Sequence, residues 1–366
     1  MKGAFPLVEA SGPPFERGVA IGRQSGDRIA RSIAIYGRLL ERRSLAWSDV
    51  RLLAGRYLPR LIAFNAPVVE EIRGIAAGSE RPVEDIVALN ARTELLYDRN
   101  GDTEPHADGC TGAIALPEAT ADGHLIHGQN WDWFDACKDS AVVMRLEQED
   151  GLRLLIFVEA GIVARAGMNS HGIAVTGNFL DCPEPPAQGA VPIPFIRRRI
   201  LESAGLAEAV GGVLNAKRSF SANLMISDAA GEAIDLETTP AEVFWEKPDR
   251  GILVHANHFR TAAARARVVD TGLASAPSSI YRDSRVERRL NQSIGHVTAK
   301  DMEDAFADTY GAPSAVLASP GADSAGDAEP SSTVATVIMD TTERVMRVAR
   351  APYAGDISFS EYRLDA

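Results

Sequence analysis

The fold is decided by two stretches of this sequence, Asp108-Gly109-Cys110-Thr111 and, further along, Gly128-Gln129-Asn130-Trp131-Asp132. The first follows a segment from Tyr97 to Asp108 that is rich in turn-forming residues, and it opens a run of small and β-branched residues. Asp122-Gly123 lies between the two stretches, where a turn between strands is expected. The pattern predicts an antiparallel hairpin that begins at Cys110.

The periodicity differs on the two sides of this hairpin. Before residue 97 the apolar residues recur at helical spacing, which predicts helices. After Cys110 the pattern predicts strands near 111–117, 124–130, 141–147, 152–158, 172–177, 222–228, 232–237, 242–246, 252–256, 333–339 and 344–350. Helices are predicted near 195–215, 260–270, 281–293 and 299–309, and a loop at 311–332. Segregated strands and helices favour an α+β fold of two antiparallel sheets packed face to face, with helices outside.

The charge balance argues against nucleic acid as a partner. The 366 residues carry a formal charge of −12, and phosphate binding needs concentrated Lys and Arg. The basic runs Arg197–Arg199 and Arg288–Arg289 are predicted to be solvated helix faces. Neither a membrane-spanning segment nor a secretory signal is readable, so we expect a cytoplasmic protein without a membrane partner.

The cysteines point to reactivity and not to a disulfide framework. Cys110, Cys137 and Cys182 are odd in number and show no CxxC spacing. A thiol at Cys110, directly after Gly109, can attack the carbonyl of Gly109, because glycine permits the strained backbone that such an acyl shift needs. Hydrolysis would leave Cys110 with a free α-amino group, which can serve as the base for its own thiol. The alternative is a small buried cysteine at the start of a strand.

Asp132 is the candidate partner of this cysteine. A turn centred on Asp122 would place Gly112 across from Asp132 and turn the carboxylate to the same face as Cys110. A slip of one residue would turn it away. In the alternative interpretation, Trp131 and Trp133 are core aromatics and Asp132 is a turn carboxylate.

The sequence resembles the acyl-CoA:isopenicillin N acyltransferase family, also classed as C45 peptidases, of the N-terminal-nucleophile (Ntn) hydrolases. The resemblance covers nearly the whole chain, with similar blocks in the same order. The blocks are residues 12–18 with Gly22, 71–78, 85–94, 109–111, 128–132, 159–162, 167–172, 255–259 and 333–336.

The resemblance implies a four-layer αββα sandwich and self-cleavage between Gly109 and Cys110. Residues 1–109 would form a helical segment of the same globule, and residues 110–366 the catalytic core, the two fragments staying associated. Cys110 would be the nucleophile, Asp132 would orient its amine, and the Asn257 amide would stabilise the oxyanion. Arg285 would be the arginine held near the nucleophile.

The implied substrate is a small acyl amide or acyl thioester, with no cofactor. Five residues are candidates for substrate binding: Thr111, Trp131, Trp133, Phe134 and Phe179. Related bile-salt hydrolases have an arginine three residues before the aspartate, where this chain has Gln129, so that arginine's role does not transfer. The sequence leaves open hydrolysis against transfer, the oligomeric state and the pocket residues in 183–194 and 311–332.

Three other readings remain open. The first is a metal site, because His124 with His127, and His255 with His258, have the HxxH spacing that can chelate zinc on a helix. In the predicted strands, however, this spacing turns the two side chains to opposite faces. A Cys-His hydrolase without self-cleavage would use Cys110 or Cys137 with His106 or His171 as its base. The third reading is an uncleaved, ligand-binding relative.

Overall fold

The computed structural model describes residues 3–96, 109–321, 329–351 and 357–365. The strands are β1 (Leu7–Ser11), β2 (Gly109–Ala115), β3 (Ile126–Phe134), β4 (Ala141–Glu147), β5 (Arg153–Glu159), β6 (Ala166–Asn169), β7 (Ile173–Thr176), β8 (Ala222–Asp228), β9 (Glu232–Thr238), β10 (Val243–Glu246), β11 (Ile252–His255), β12 (Ser331–Asp340), β13 (Val345–Arg350) and β14 (Phe359–Arg363). The helices are α1 (Pro14–Arg42), α2 (Trp47–Gly55), α3 (Leu58–Gly78), α4 (Val83–Asn90), α5 (Arg92–Leu96), α6 (Ile193–Leu201), α7 (Leu206–Leu214), α8 (Ala262–Arg267), α9 (Gly272–Ser275), α10 (Ser279–Asn291) and α11 (Ala299–Phe306).

These strands form two sheets. One has the order β1-β4-β5-β6-β7-β8-β9-β10, and the other has the order β11-β2-β3-β12-β13-β14. Neighbouring strands are antiparallel except for β1, which pairs with β4 in parallel. The N-terminal segment therefore contributes a strand to the first sheet.

Side chains that alternate along β2 show how the layers stack. Ile114 packs against Met225 of β8, across the space between the two sheets. Ala113 lies on the opposite face, with Val286 of α10 and Phe306 of α11. Helices α1 and α6 contact the outer side of the first sheet. The predicted α+β sandwich with four layers, helix, sheet, sheet and helix, is confirmed.

The helical layer of the first hundred residues depends on glycines that the sequence repeats at helical spacing. Gly18 and Gly22 of α1 cross Gly74 and Gly78 of α3. A methyl group on Gly74 would lie 2.1 Å from the carbonyl oxygen of Phe15, so the two backbones are in direct contact. Larger side chains would separate the helices.

Several elements differ from the prediction. Strands β1, β6 and β14 were not predicted, because they have five residues or fewer and carry few β-branched residues. The helix expected at 195–215 is two helices, α6 and α7. The predicted loop before Cys110 lies outside the described residues except for Gly109.

The expectation of a solvated basic face at Arg197–Arg199 is wrong for two of its three residues. Arg198 is fully buried and bonds to both Glu71 and Glu202, and Arg197 is buried as well. Burial opposes ionisation of Glu71, but Arg198 and Arg17 outweigh it and hold the pKa of this carboxyl below its usual value. The apolar residues that flank Arg197–Arg199 in the sequence do not indicate that Arg198 pairs with a buried carboxylate such as Glu71. Within the described ranges, no helix is both long enough and apolar enough to span a membrane.

Candidate active site

The register of the hairpin places Cys110 and Asp132 on opposite faces of the second sheet. Cys110 pairs with Trp131, and Gly109 pairs with Asp132. The predicted pairing of Gly112 with Asp132 is wrong, because the connection between the strands folds around a short helical turn at Pro117–Ala119 and moves the centre of the hairpin. The Cys110 thiol therefore points between the sheets, and Asp132 points toward the helices.

The backbone of Cys110 is held on both sides. Its N–H donates to Oδ1 of Asn257 at 2.8 Å, and its carbonyl accepts from Nη1 of Arg282 at 2.7 Å. The same Nη1 reaches the Thr111 hydroxyl at 2.8 Å. The residue itself is buried, with 1% of its surface exposed. The peptide on which the predicted chemistry depends is thus fixed in position by two side chains.

Asn257 is oriented by four contacts. Oδ1 accepts from Cys110 and, at 2.8 Å, from Nη2 of Arg282, which identifies this atom as the oxygen. Nδ2 donates to the Phe179 carbonyl at 2.9 Å, and the backbone N–H donates to the Ser279 hydroxyl at 2.7 Å. In this state the amide group accepts from Cys110, and Nδ2 keeps a second hydrogen.

Arg285 does not take the place expected for it. It forms a two-point ion pair with Asp308 and lies over the Tyr310 ring at 4.2 Å. Arg282, three residues earlier on α10, is the arginine at Cys110. Three residues shift a side chain about 4.5 Å along a helix, and Arg285 is directed to Asp308 and Tyr310 instead of Cys110.

Asp132 lies directly beside Gly109. A methyl group on Gly109 would be 2.8 Å from Oδ2 of Asp132, so the absence of a side chain at Gly109 makes room for the carboxylate. Oδ1 of Asp132 accepts from the Thr333 hydroxyl of β12 at 2.6 Å. Thr333 belongs to one of the blocks that carry the sequence resemblance, and it holds Asp132 in place.

The proposed substrate-binding aromatics fall into two groups. Trp131 and Trp133 are core residues, each 1% exposed, and Trp133 donates to the Tyr36 hydroxyl at 2.8 Å. Phe134 packs edge-on against Trp133. Phe179 lines a cavity. Thr111 is bound by Arg282. The structure places both tryptophans in the core, as the alternative interpretation expects.

Two cavities lie near this site. An open cleft of about 590 Å³ lies on the helix side of β2 and is lined by Gly109, Asp132, Tyr281, Arg282 and several serines. A small cavity of about 20 Å³ is lined by Phe179, Arg165 and Arg197 among others. Sequence patterns did not point to Arg165, which reaches the thiol of Cys110 from the segment before β6.

A buried charged cluster supports the strand that leads to Asn257. His255, Asp235 and Glu237 are each 0% exposed, and His255 Nε2 lies 2.9 Å from Glu237. Burial alone would lower the pKa of His255, but the two carboxylates raise it to about 9. Burial also raises the pKa of Asp235, to about 6. Glu237 accepts from Thr261 as well, so the cluster fixes the chain on both sides of Asn257.

The geometry around His124 and His127 does not favour the metal-site hypothesis. His124 bonds to Asp340, and His127 bonds to Thr176 and Ser227. Among the described residues, no group of three or more His, Cys, Asp or Glu side chains is placed to hold a metal ion.

The Cys-His hypothesis can be compared with the structure at His171, Cys110 and Cys137 only. His106 lies outside the described residues, and His171 occupies the turn between β6 and β7. Burial raises the pKa of the Cys137 thiol well above its usual value, with a further contribution from Glu159, so Cys137 is a poor nucleophile.

Two mostly antiparallel sheets lie between helical layers, and a cysteine stands near the start of an inner strand. The chain belongs to the acyl-coenzyme A:6-aminopenicillanic acid acyl-transferase family, whose model matches residues 119–351. It is 32% identical over 253 residues to the acyl-coenzyme A:6-aminopenicillanic-acid-acyltransferase 40 kDa form of Emericella nidulans, which covers 69% of this chain and 68% of the relative. Membership of this family makes the chain an enzyme of the acyl-transfer class.

Solved structures with lower identity were also found. A mutant conjugated bile acid hydrolase from Clostridium perfringens has 15% identity and a TM-score of 0.48, covering 70% of this chain and 92% of that chain. The penicillin V acylase from Agrobacterium tumefaciens has 14% identity and a TM-score of 0.45, covering 68% and 85% of the two chains.

Proposed function

We propose that this chain cleaves itself between Gly109 and Cys110 and then uses Cys110 to take the acyl group from a small N-acyl compound. The observation that carries the proposal is the double hold on the Cys110 peptide, by Asn257 on its nitrogen and by Arg282 on its carbonyl. Gly109, the residue on the other side of the bond to be cleaved, lies against the carboxylate of Asp132. A core cysteine without a role needs no such arrangement.

The self-cleavage proceeds in two steps. Cys110 Sγ attacks the carbonyl carbon of Gly109, a C–S bond forms as the C–N bond breaks, and the nitrogen takes up the thiol proton. Water then hydrolyses the thioester, which leaves a carboxylate on Gly109 and restores the thiol. Because glycine tolerates strained backbone, Gly109 suits the first step.

The second reaction repeats this chemistry on a substrate. The new α-amino group of Cys110, with an ordinary pKa of roughly 7.7 to 8.0, accepts the thiol proton as Sγ attacks the acyl carbon. The amine of the substrate leaves with a proton, and water hydrolyses the thioester. Asn257 Nδ2 donates its second hydrogen to the oxyanion, a role worth about 10²-fold or more in rate. Asp132, fixed by Thr333, orients the amine.

The fragments 1–109 and 110–366 stay together after cleavage in this proposal. Residues from both sides, such as Ile29 and Tyr36 with Phe157, share one hydrophobic core. Strand β1 also pairs with β4. Burial of this size would hold the two chains as a single globule.

We place the protein in a reducing compartment such as the cytoplasm, because all three cysteines are thiols and not disulfides. Hydrolysis is our preferred reaction, since water needs no binding site for a second substrate. The proposed mechanism uses no cofactor.

Intact mass under denaturing conditions tests the proposal. We expect wild type to give two fragments, residues 1–109 and 110–366, and Cys110→Ala to stay whole. Cys137→Ala is the matched control, because Cys137 is equally buried, and it should cleave like wild type. The cleaved protein should then release amine from a panel of N-acyl amides. A single 39.2 kDa species from wild type would reject self-cleavage and favour the ligand-binding alternative.

A further inference from the structure

Arg165 brings a positive charge to the thiol of Cys110. It lies between β5 and β6, and its Nη2 is 3.8 Å from Sγ of Cys110. Its guanidinium also lies over the ring of Trp131, 3.8 Å from the centroid. Trp131 is the residue paired with Cys110 across the hairpin. The ring is thus a platform that holds the guanidinium beside the sulfur.

The environment strengthens this contact. Arg165 is 6% exposed and Cys110 1% exposed, so little water screens the charge. Arginine stays protonated at all relevant pH values. An opposite charge within about 4 to 6 Å favours the ionised form of an acid and lowers its pKa by about 1 to 3 units. The thiolate is the form of cysteine that attacks carbonyl groups.

We infer that Arg165 is a catalytic residue that stabilises the Cys110 thiolate, both in self-cleavage and in attack on a substrate. The inference rests on the proposed function for what the thiolate attacks, but the contact between guanidinium and sulfur exists in the uncut chain. This stabilisation of the thiolate needs no lysine or histidine on the hairpin. Arg165 reaches the sulfur from the first sheet, across the space between the layers.

Other charged groups lie near Cys110 or near Arg165. Arg282 of α10 bonds to its carbonyl and not to its sulfur. Asp132 of β3 lies on the opposite face of the sheet. Glu159 of β5 interacts electrostatically with Arg165 and bonds to Arg92 at 2.8 Å. After cleavage the α-amino group titrates as well. None of these residues is substituted in an Arg165 variant, although Glu159 loses its electrostatic interaction with Arg165.

The test is the pH dependence of thiol ionisation in wild type, Arg165→Gln, Arg165→Lys and the control Arg197→Gln. Arg197 is also a buried arginine of the small cavity, but it bonds to the Gly177 carbonyl. Two readouts apply: the rate of Cys110 alkylation by iodoacetamide, located by peptide mass, and thiolate ultraviolet absorbance relative to Cys110→Ser. Wild type and Arg197→Gln should share one midpoint.

We expect Arg165→Gln to move the midpoint up by about one pH unit or more, with a roughly tenfold loss of alkylation rate below it. Arg165→Lys should lie between the two, since it keeps the charge but not the stacked plane. Superimposable profiles of Arg165→Gln and wild type would overturn the inference. Intact mass reports self-cleavage separately, so failure of the proposed function would show as an uncut wild type whatever the profiles do.

Discussion

Gly109 and Asp132 face each other across strands β2 and β3, so closely that a methyl group on Gly109 would lie 2.8 Å from Oδ2 of Asp132. Residue 109, which precedes the bond to Cys110, therefore cannot carry a side chain unless the carboxylate of Asp132 moves. Thr333 holds that carboxylate from the neighbouring strand. Asp132 therefore requires a glycine before Cys110, in addition to any requirement of the backbone.

Gly109→Ala should slow self-cleavage by at least tenfold, because the new methyl group displaces Asp132 or the peptide, and small displacements at a reacting centre cost up to about 10²-fold. The time course of intact mass after synthesis measures this. Gly205→Ala is the control, since a methyl group there meets nothing within 4 Å. Cleavage of Gly109→Ala at the wild-type rate would contradict the role given to this contact.

Substitutions at Arg282 and at Arg285 should have very different effects on the rate of cleavage or turnover, although both residues lie on α10. Arg282→Gln removes the hold on the Cys110 carbonyl and on Asn257, and we expect about a 10²-fold loss in cleavage or turnover rate. Arg285→Gln breaks an ion pair that is partly exposed, and it should change the rate less than threefold. Rates and thermal stability of both variants are compared. Equal losses of rate at equal stability would argue against a specific role for Arg282.

His255 should make the fold less stable at alkaline pH. Its pKa is about 9 in the fold, against about 6.5 when unfolded. A raised pKa gives stability that is complete below about pH 6.5 and is lost as the pH rises through 9. We expect wild type to lose roughly 2 to 3 kcal/mol between these values relative to His255→Gln. Urea unfolding at pH 6.5 and 9 measures this, with the exposed His171→Gln as control. Parallel pH profiles of wild type and His255→Gln would refute the charged pair with Glu237.

Gly74→Ala should destabilise the protein by about 3 kcal/mol, because its methyl group would lie 2.1 Å from a backbone oxygen and would push α1 and α3 apart. Gly26→Ala, on α1, offers a matched control. Its methyl group would meet only the Cα of Ser79, at 4.0 Å. Alanine is the better helix former, so this variant should gain up to about 1 kcal/mol. Chemical denaturation measures the free energy of unfolding of both variants. Similar values for the two would disprove the direct backbone contact between α1 and α3.

The sequence predicted most of the elements because their signals are local. Strands β4, β5 and β8 are long and rich in β-branched or apolar residues, and the pattern gave them nearly to the residue. Strand β6 has four residues with Ala and Gly, and only its neighbours make it a strand. Arg198 was predicted to be solvated because the residues next to it in the sequence do not indicate its partners. Glu71 belongs to α3, and Glu202 lies one helical turn further along the chain.

The class of fold and the family could be predicted from the sequence alone, because both depend on periodicity and on the order of short blocks. The tertiary structure decided which face each residue takes and which distant side chain meets it. The register put Asp132 against Gly109 and turned the thiol toward Arg165, and the docking of α10 chose Arg282 over Arg285. Such contacts join residues that are far apart in the chain, and they depend on differences of one residue in register or one turn of helix, which local patterns do not encode.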